Sequence, residues 1–167
     1  MVDIVIAETE EYLGSIRQLF LEYAASLDFD LCFQGFEKEL AALPGEYSLP
    51  TGCLLLAIDN GRMAGCAALR KITWNDCEMK RLYVCPEFRG KEIGKKLALA
   101  IIEKARKIGY TRMLLDTVPS MKNAIKLYES LGFKTIDPYC YNPIEGAIFM
   151  ALDLQSISRE YEGAVKP

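Results

Sequence analysis

A chain of 167 residues that is 51% hydrophobic and 26% charged has enough apolar side chains to bury one core, which predicts a single globular domain. The net charge is −3, and apolar runs such as residues 53–58 are far shorter than the roughly 20 residues that cross a membrane, so a membrane protein is excluded. The sequence contains no histidine, which excludes a Ser-His-Asp triad, and no metal is expected. Because the N-terminus lacks a secretory leader, a soluble cytoplasmic protein is predicted.

The charged residues are unevenly distributed along the chain. Residues 1–60 carry eleven acidic and two basic side chains, a net of −9, whereas residues 78–112 carry ten basic and four acidic ones, a net of +6. Two solvated faces would explain this pattern, and so would an anionic ligand over the basic segment with a cationic one near the acidic segment. The basic stretch is short and the chain is acidic overall, so nucleic-acid binding is not expected. The six cysteines lack the spacing of a zinc or redox motif and are predicted to be reduced core residues.

The first half of the chain predicts one strand, two helices and three antiparallel strands. Alternating β-branched residues indicate the first strand, Thr9 is a predicted N-cap of the first helix, and the second helix ends before Pro44. Asn60-Gly61 is typical of a hairpin turn, and a second short turn is predicted at residues 74–76. The predicted strands are residues 2–7, 53–59, 63–73 and 78–84.

The second half predicts a long helix, a strand, a helix and two final strands. An apolar stripe with helical spacing runs from Ile93 to Ile108, and Gly109 follows it as a stop signal. A strand over residues 113–118 precedes a helix over 121–131, and two strands, 133–136 and 147–152, flank the loop 137–146. This order predicts an α+β fold with a mixed, mostly antiparallel sheet in one domain, residues 1–154, followed by a polar tail, residues 155–167.

The seven residues 89–95, Arg-Gly-Lys-Glu-Ile-Gly-Lys, join a predicted strand to the long helix. The first amides of a helix have no intrahelical partner, and glycines let an anion approach the backbone, so the stretch predicts a phosphate or pyrophosphate site. A Walker loop requires four residues between its glycines, and here there are three. A dinucleotide fingerprint requires a third glycine where Leu97 stands. Neither of these motifs fits.

The stretch resembles the pyrophosphate loop of the GNAT acyltransferase superfamily, which reads Gln or Arg, two free positions, Gly, one free position, then Gly or Ala. The frame runs from Arg89 to Gly94, with Glu92 in place of the first family glycine. This carboxylate either faces solvent or weakens pyrophosphate binding by repulsion. The resemblance extends from Gly65 to Leu152 and includes a second family signature at residues 123–133.

The resemblance implies a GNAT-like sheet of about six to seven strands with helices on both faces. Its central strands, residues 78–84 and 113–118, would splay apart and admit the pantetheine arm of the cosubstrate acetyl-CoA. The backbone N–H of Val84, beside a bulge near Leu82, would stabilise the carbonyl oxygen. The residues that match cofactor-binding positions of the family are Leu82, Tyr83, Val84, Arg89, Gly90, Lys91, Glu92, Ile93, Gly94, Lys95 and Asn123.

The resemblance also implies two catalytic residues. Glu78 precedes Arg89 by eleven residues, as the catalytic glutamate of several GNAT enzymes does, and would be the general base. A strand-end glutamate paired with Lys80 or Arg81 is the alternative. Tyr128 lies in an apolar stripe that by itself indicates a core tyrosine, but the matching family tyrosine protonates the leaving thiolate. The expected reaction is N-acetylation by direct attack in a ternary complex.

The resemblance also implies that two segments, residues 26–34 and 137–146, close over the acceptor. They offer acidic and aromatic side chains, which suit a small primary amine or a peptide amino group. The candidate acceptor-binding residues are Asp28, Phe29, Asp30, Tyr139 and Tyr141. A monomer or homodimer is expected. Two other functions stay open: a catalytically silent CoA-binding interaction or regulatory module, and a regulator that binds a nucleotide.

Overall fold

The computed structural model describes residues 1–155, so the predicted tail lies outside the described residues except for Gln155. The helices and strands follow the predicted order. The helices are α1 (Glu10–Ser26), α2 (Phe36–Ala42), α3 (Ile93–Ile108) and α4 (Lys122–Ser130). The strands are β1 (Val2–Ile6), β2 (Cys53–Asp59), β3 (Arg62–Lys71), β4 (Asp76–Val84), β5 (Arg112–Thr117), β6 (Lys134–Ile136) and β7 (Ile148–Asp153). Short 3-10 helices cover Cys32–Gln34, Gly45–Tyr47 and Pro86–Phe88.

Seven strands form one sheet in the order β1-β2-β3-β4-β5-β7-β6. Within residues 1–155, only β4 and β5 pair in parallel; the other neighbours are antiparallel, which confirms the predicted mixed sheet of the α+β class. The parallel pairing ends where Glu78 lies opposite Leu114, and beyond this pair the two strands separate. The expected splay of the central strands is therefore present.

The core lies on both sides of the central strands. Every residue of β3 from Ala64 to Leu69 is buried, which requires cover on both faces of the sheet. Helices α1 and α3 both pack against β2, β3 and β4. The α1 helix begins as predicted, since Thr9 Oγ1 accepts a hydrogen bond from the Tyr12 amide at 3.2 Å. Among residues 1–155, no helix is long and apolar enough to cross a membrane.

The β3–β4 hairpin differs from its predicted boundaries. Strand β3 ends at Lys71 instead of residue 73, and β4 begins at Asp76 instead of residue 78. The amides of Ile72 and Thr73 both donate to the Asp76 carbonyl, which closes the turn earlier than the apolar pattern indicates. The pairing with β5 also includes the first residue of β4, because Arg112 pairs with Asp76 in the parallel ladder.

A β-bulge interrupts β4 near Leu82, where the family resemblance implied one. The β3–β4 register passes from Cys66 opposite Tyr83 to Ala68 opposite Lys80, so two residues of β4, Arg81 and Leu82, face one residue of β3. Arg81 has a left-handed backbone with φ of 57°. For a non-glycine residue this conformation costs about 1–2 kcal/mol, so other contacts must hold it.

Candidate active site

The loop before α3 contains two residues with a left-handed backbone. Gly90 and Glu92 have φ of 82° and 60°, both in the left-handed region. Glu92 is exposed, precedes the first residue of α3 and makes no capping hydrogen bond. The residue that replaces the family glycine therefore keeps the conformation that glycine adopts most readily.

Gly94 lies in the first turn of α3, where no contact with any residue from 1 to 155 requires a glycine. A Cβ at this position would lie 3.6 Å from Val84 Cγ2 and 3.9 Å from Leu127 Cδ2, which are ordinary van der Waals distances. The backbone here is not left-handed. The protein alone would accept a methyl group at this position.

The three basic side chains of the loop have different surroundings. Lys91 Nζ lies 3.0 Å from Oδ2 of the buried Asp59 at the end of β2, a partner that the sequence did not indicate. Arg89 Nε donates to the Val84 carbonyl at 3.1 Å, and its guanidinium lies 5.9 Å from the centre of the Tyr83 ring. Lys95 is exposed and makes no ion pair with any residue from 1 to 155. The loop is thus tied to β2 and β4.

Two adjoining cavities, of about 40 and 30 Å³, lie where β4 and β5 separate. The first is lined by residues of the bulge, of β5 and of α4, and among them are Lys80, Arg81, Leu82, Asp116 and Tyr128. The second shares Tyr23, Gln34, Asp116, Thr117 and Met121 with it and adds Phe29, Leu31, Val118 and Asn142. The two cavities together form a cleft. Of the two predicted catalytic residues, Tyr128 lines this cleft and Glu78 does not.

The strand that carries the predicted oxygen-stabilising amide continues past the bulge. Leu82 lines the larger cavity, and the Tyr83 ring packs edge-on against Tyr23 at 5.9 Å. Val84 pairs with Gly65 in the β3–β4 ladder. A Cβ on Gly65 would lie 2.4 Å from the Tyr83 carbonyl oxygen, so this approach of β3 to β4 requires a glycine. The role of the Val84 N–H stays a prediction.

Tyr128 is buried in the wall of the cleft. Its hydroxyl has no hydrogen-bond partner among the described residues, and its ring lies 5.7 Å from that of Phe133. Burial raises the pKa of Tyr128 above its ordinary value, so the phenol keeps its proton at neutral pH. Asn123 is the second residue of α4, is exposed and does not cap the helix.

Glu78 is 1% exposed and is held by three side chains. Arg70 Nε lies 2.6 Å from Oε1, the Tyr139 hydroxyl donates to Oε2 at 2.5 Å, and Lys80 Nζ lies 3.9 Å from Oε1. Burial and the Glu78 charge raise the pKa of Tyr139, which keeps this donor protonated. The carboxylate is firmly placed at the base of the splay, and its role as the base stays a prediction.

Asp116 is a carboxylate that lines the cleft close to Glu78, and sequence reasoning missed it. One of its oxygens, a Glu78 oxygen and Cys140 Sγ all lie within 4.8 Å of one another. Asn142 Nδ2 donates to Oδ2 at 3.0 Å, and no residue from 1 to 155 forms a salt bridge with Asp116. It is half-buried and lines both cavities. The signal in the sequence was an acidic residue inside the mostly apolar segment 113–118.

The model of the acetyltransferase (GNAT) family matches residues 15–133, which include the loop, the bulge, both splayed strands and Tyr128. The chain belongs to the GNAT acetyltransferase family. An N-acetyltransferase of Schizosaccharomyces pombe is 39% identical over 155 residues, covering 92% of this chain and 95% of that protein. A GNAT acetyltransferase of Staphylococcus aureus has a similar fold, with a TM-score of 0.76 at 21% identity over 92% of this chain and 99% of that one. An acetyltransferase of Salmonella typhimurium, solved with its cofactor acetyl-CoA, has a TM-score of 0.72 at 21% identity and coverage of 94% and 96%.

In this GNAT acetyltransferase, the two predicted acceptor segments meet over the cleft. The Phe33 and Tyr141 rings pack edge-on at 6.4 Å, and Phe29 lines the smaller cavity. Tyr141 is itself 75% exposed. Asp28 is exposed and lines neither cavity, while Asp30 Oδ1 accepts from the Cys32 amide at 2.8 Å within its own turn.

A buried network fixes the bulge of β4. The Arg81 guanidinium is 2% exposed and donates to Glu39 from Nε at 2.9 Å and from Nη2 at 3.1 Å. Its Nη1 donates to Gln34 Oε1 at 2.8 Å, and Tyr47 donates to Glu39 Oε1 at 2.8 Å. These bonds to α2 and to the segment before it offset the cost of the left-handed backbone at Arg81.

Proposed function

We propose that this acetyltransferase moves the acetyl group of acetyl-CoA to a primary amine by direct attack in a ternary complex. The observation that carries the proposal is that Asp116, a carboxylate without a salt bridge among residues 1–155, lines the same cavity as the protonated Tyr128. One group can take a proton and the other can give one.

The features of the loop and the splay fit acetyl-CoA. The amides at the start of α3, with left-handed residues at 90 and 92, offer donors to a pyrophosphate, and Arg89 and Lys95 add positive charge. The facing edges of β4 and β5 beyond Glu78 and Leu114 leave room for an extended arm to bind in the manner of an added strand.

The proposed steps assign one proton to each side of the cleft. Asp116 binds the ammonium of the acceptor and takes one proton from it. The amine nitrogen then attacks the thioester carbonyl, whose oxygen accepts from the Val84 N–H. The new C–N bond forms, the C–S bond breaks, and Tyr128 gives its proton to the leaving sulfur. The second proton that the nitrogen loses returns to the Tyr128 oxygen and restores the phenol. The predicted alternative, in which Glu78 is the base, differs only in the carboxylate.

A cysteine intermediate is not part of the proposal. Cys140 is the thiol beside Asp116, and burial together with the Asp116 charge raises its pKa to about 11. Burial also raises the pKa of Cys85 to about 11 and that of Cys77 to about 12. These thiols are poor nucleophiles at neutral pH.

The experiment follows thiol release from acetyl-CoA with a panel of amino acids, polyamines, aminoglycosides and short peptides. Asp116→Asn keeps the size and one oxygen of the side chain, so we expect it to fold and to lose at least about 100-fold in kcat. If kcat is unchanged in Asp116→Asn but falls by at least about 100-fold in Glu78→Gln, the base is Glu78 and not Asp116. Acetyl-CoA binding without thiol release from any amine would favour a silent CoA-binding module.

The acidic segment before α2 is tested in the same assay. If Asp28 and Asp30 bind the acceptor, Asp28→Asn combined with Asp30→Asn raises the KM of the best amine. An unchanged KM in this double variant would remove the segment from the acceptor site and leave Asp116 as its acidic group.

A further inference from the structure

The Gln34 side-chain oxygen is shared by two buried cations at the edge of the cleft. Lys80 Nζ donates to Gln34 Oε1 at 3.1 Å, and Arg81 Nη1 donates to the same oxygen at 2.8 Å. Gln34 ends the short 3-10 helix between α1 and α2 and lines both cavities. The neutral Gln34 oxygen thus lies between the positive charges of Lys80 and Arg81.

The charge of Lys80 is the less compensated of the two. Glu39 binds Arg81 through two hydrogen bonds. The Lys80 side chain is 9% exposed, and its nearest carboxylate oxygen is Glu78 Oε1 at 3.9 Å, which already accepts from Arg70 at 2.6 Å. Burial lowers the pKa of Lys80, and the Glu78 charge offsets this only in part. An anion placed beside Lys80 would be favoured, because a buried charge without a close partner is costly.

Both cations still have N–H groups to offer. An ammonium has three donors and a guanidinium five, and the bonds to Gln34 and Glu39 use one of the Lys80 donors and three of those on Arg81. Both residues line the larger cavity together with Asp116. The cavity therefore has a basic wall and an acidic wall.

We infer that the acceptor is an amino acid, whose carboxylate binds Lys80 and Arg81 at the position of Gln34 Oε1 while its amino group binds Asp116. This inference rests on the proposed function and specifies its acceptor. A zwitterion matches both walls, whereas a simple amine leaves the Lys80 charge uncompensated and a diamine places a second positive charge beside it.

The test compares each amino acid with the amine that lacks only its carboxylate. Suitable pairs are alanine with ethylamine, phenylalanine with phenethylamine, and lysine with cadaverine. Methyl esters of the same amino acids provide a second comparison that lacks the negative charge of the carboxylate. The quantity measured is the ratio of kcat/KM for the amino acid to kcat/KM for its partner. We expect a ratio of at least about 10 for the best pair, since charge-assisted hydrogen bonds contribute about 1.5–3 kcal/mol.

Two variants change the basic wall in different ways. Lys80→Met removes the charge and keeps the length of the side chain, so the ratio is expected to fall toward one through a higher KM for the amino acid. Gln34→Glu places a carboxylate of the chain itself between the cations, and this competitor is expected to lower the ratio by a similar factor. Lys38→Met, at an exposed lysine of α2 that lines neither cavity, is the matched charge control and is expected to leave the ratio unchanged.

Thermal unfolding of each variant shows whether it is folded before the kinetic comparison is made. Wild-type enzyme that acetylates the decarboxylated amines as well as the amino acids would overturn this inference and leave the proposed function intact. A wild-type preference that both Lys80→Met and Gln34→Glu preserve would overturn the assignment of the carboxylate to these residues. Failure to acetylate any amine or amino acid would overturn the proposed function itself.

Discussion

Substitutions at Gly94 are expected to separate stability from cofactor binding. A Cβ at this position meets Val84 Cγ2 at 3.6 Å and Leu127 Cδ2 at 3.9 Å, so alanine fits without any rearrangement. Glycine within a helix costs about 0.8–1.0 kcal/mol relative to alanine, and in the first turn we expect about half of this. Gly94→Ala should therefore raise the melting temperature by about 1–2 °C, at about 2–4 °C per kcal/mol for a chain of this size.

Gly94→Val adds two further methyl groups beside the amides that are proposed to bind the pyrophosphate. Loss of one charge-assisted hydrogen bond costs about 1.5–3 kcal/mol, which is about 10- to 150-fold in Kd. Calorimetry with acetyl-CoA should show this loss in Gly94→Val and a nearly unchanged Kd in Gly94→Ala, because the family motif accepts alanine here. An unchanged Kd in a folded Gly94→Val protein would refute the placement of the pyrophosphate at the start of α3.

Two more substitutions test the loop and the proton donor. Glu92→Gln removes only the charge, while Glu92→Gly also removes the strain of a left-handed backbone at a non-glycine residue. Because Glu92 is exposed, we expect the Kd of acetyl-CoA to change by less than about three-fold in Glu92→Gln, as measured by calorimetry. Tighter acetyl-CoA binding in both variants would show that the carboxylate repels the pyrophosphate. Tyr128→Phe is expected to lower kcat by about 100-fold and to leave the Kd of acetyl-CoA unchanged. Steady-state kinetics in which Tyr128→Phe keeps the wild-type kcat would rule out the phenol as the acid.

The features predicted most successfully from the sequence are those encoded by neighbouring residues. The apolar period of residues 93–108 defined α3, and the Thr9 cap and Asn60-Gly61 turn marked the ends of their elements. The bulge near Leu82 was implied by the family resemblance, and it is present at Arg81 and Leu82. The other signals depend on local backbone preferences, which the chain specifies within a few positions.

The polar contacts of the cleft could not be predicted from local sequence patterns. Arg81 meets Gln34 and Glu39 across 47 and 42 positions of the chain, and Tyr139 meets Glu78 across 61. Such pairs depend on how the loops pack over the sheet, which no local pattern encodes. For Glu78, the alternative of a pair with Lys80 is present at 3.9 Å, but only the fold shows that Arg70 and Tyr139 hold the carboxylate more closely.

Lys91 was predicted to lie near the phosphates, yet the structure gives it a carboxylate partner. Asp59 is buried, and its Oδ2 lies 3.0 Å from Lys91 Nζ. Moving the ammonium to a phosphate would leave Asp59 with one weaker cationic partner, the exposed N-terminus at 3.7 Å, and with the neutral Asn60 amide at 3.1 Å. We therefore expect Lys91 to act chiefly as a brace that orders the loop. An ion pair with one exposed partner contributes about 1 kcal/mol at most, or about five-fold in affinity.

A double-mutant cycle distinguishes the brace from a phosphate ligand. If Lys91 braces the loop, Lys91→Met and Asp59→Asn each weaken acetyl-CoA binding by up to about five-fold, and the double variant is no weaker than either one, because both changes break the same contact. If Lys91 binds a phosphate instead, Asp59→Asn releases the ammonium and tightens acetyl-CoA binding, while Lys91→Met weakens it. Opposite signs in the two single variants, measured by calorimetry at one salt concentration, would contradict the brace, because a shared contact cannot be lost with opposite effects.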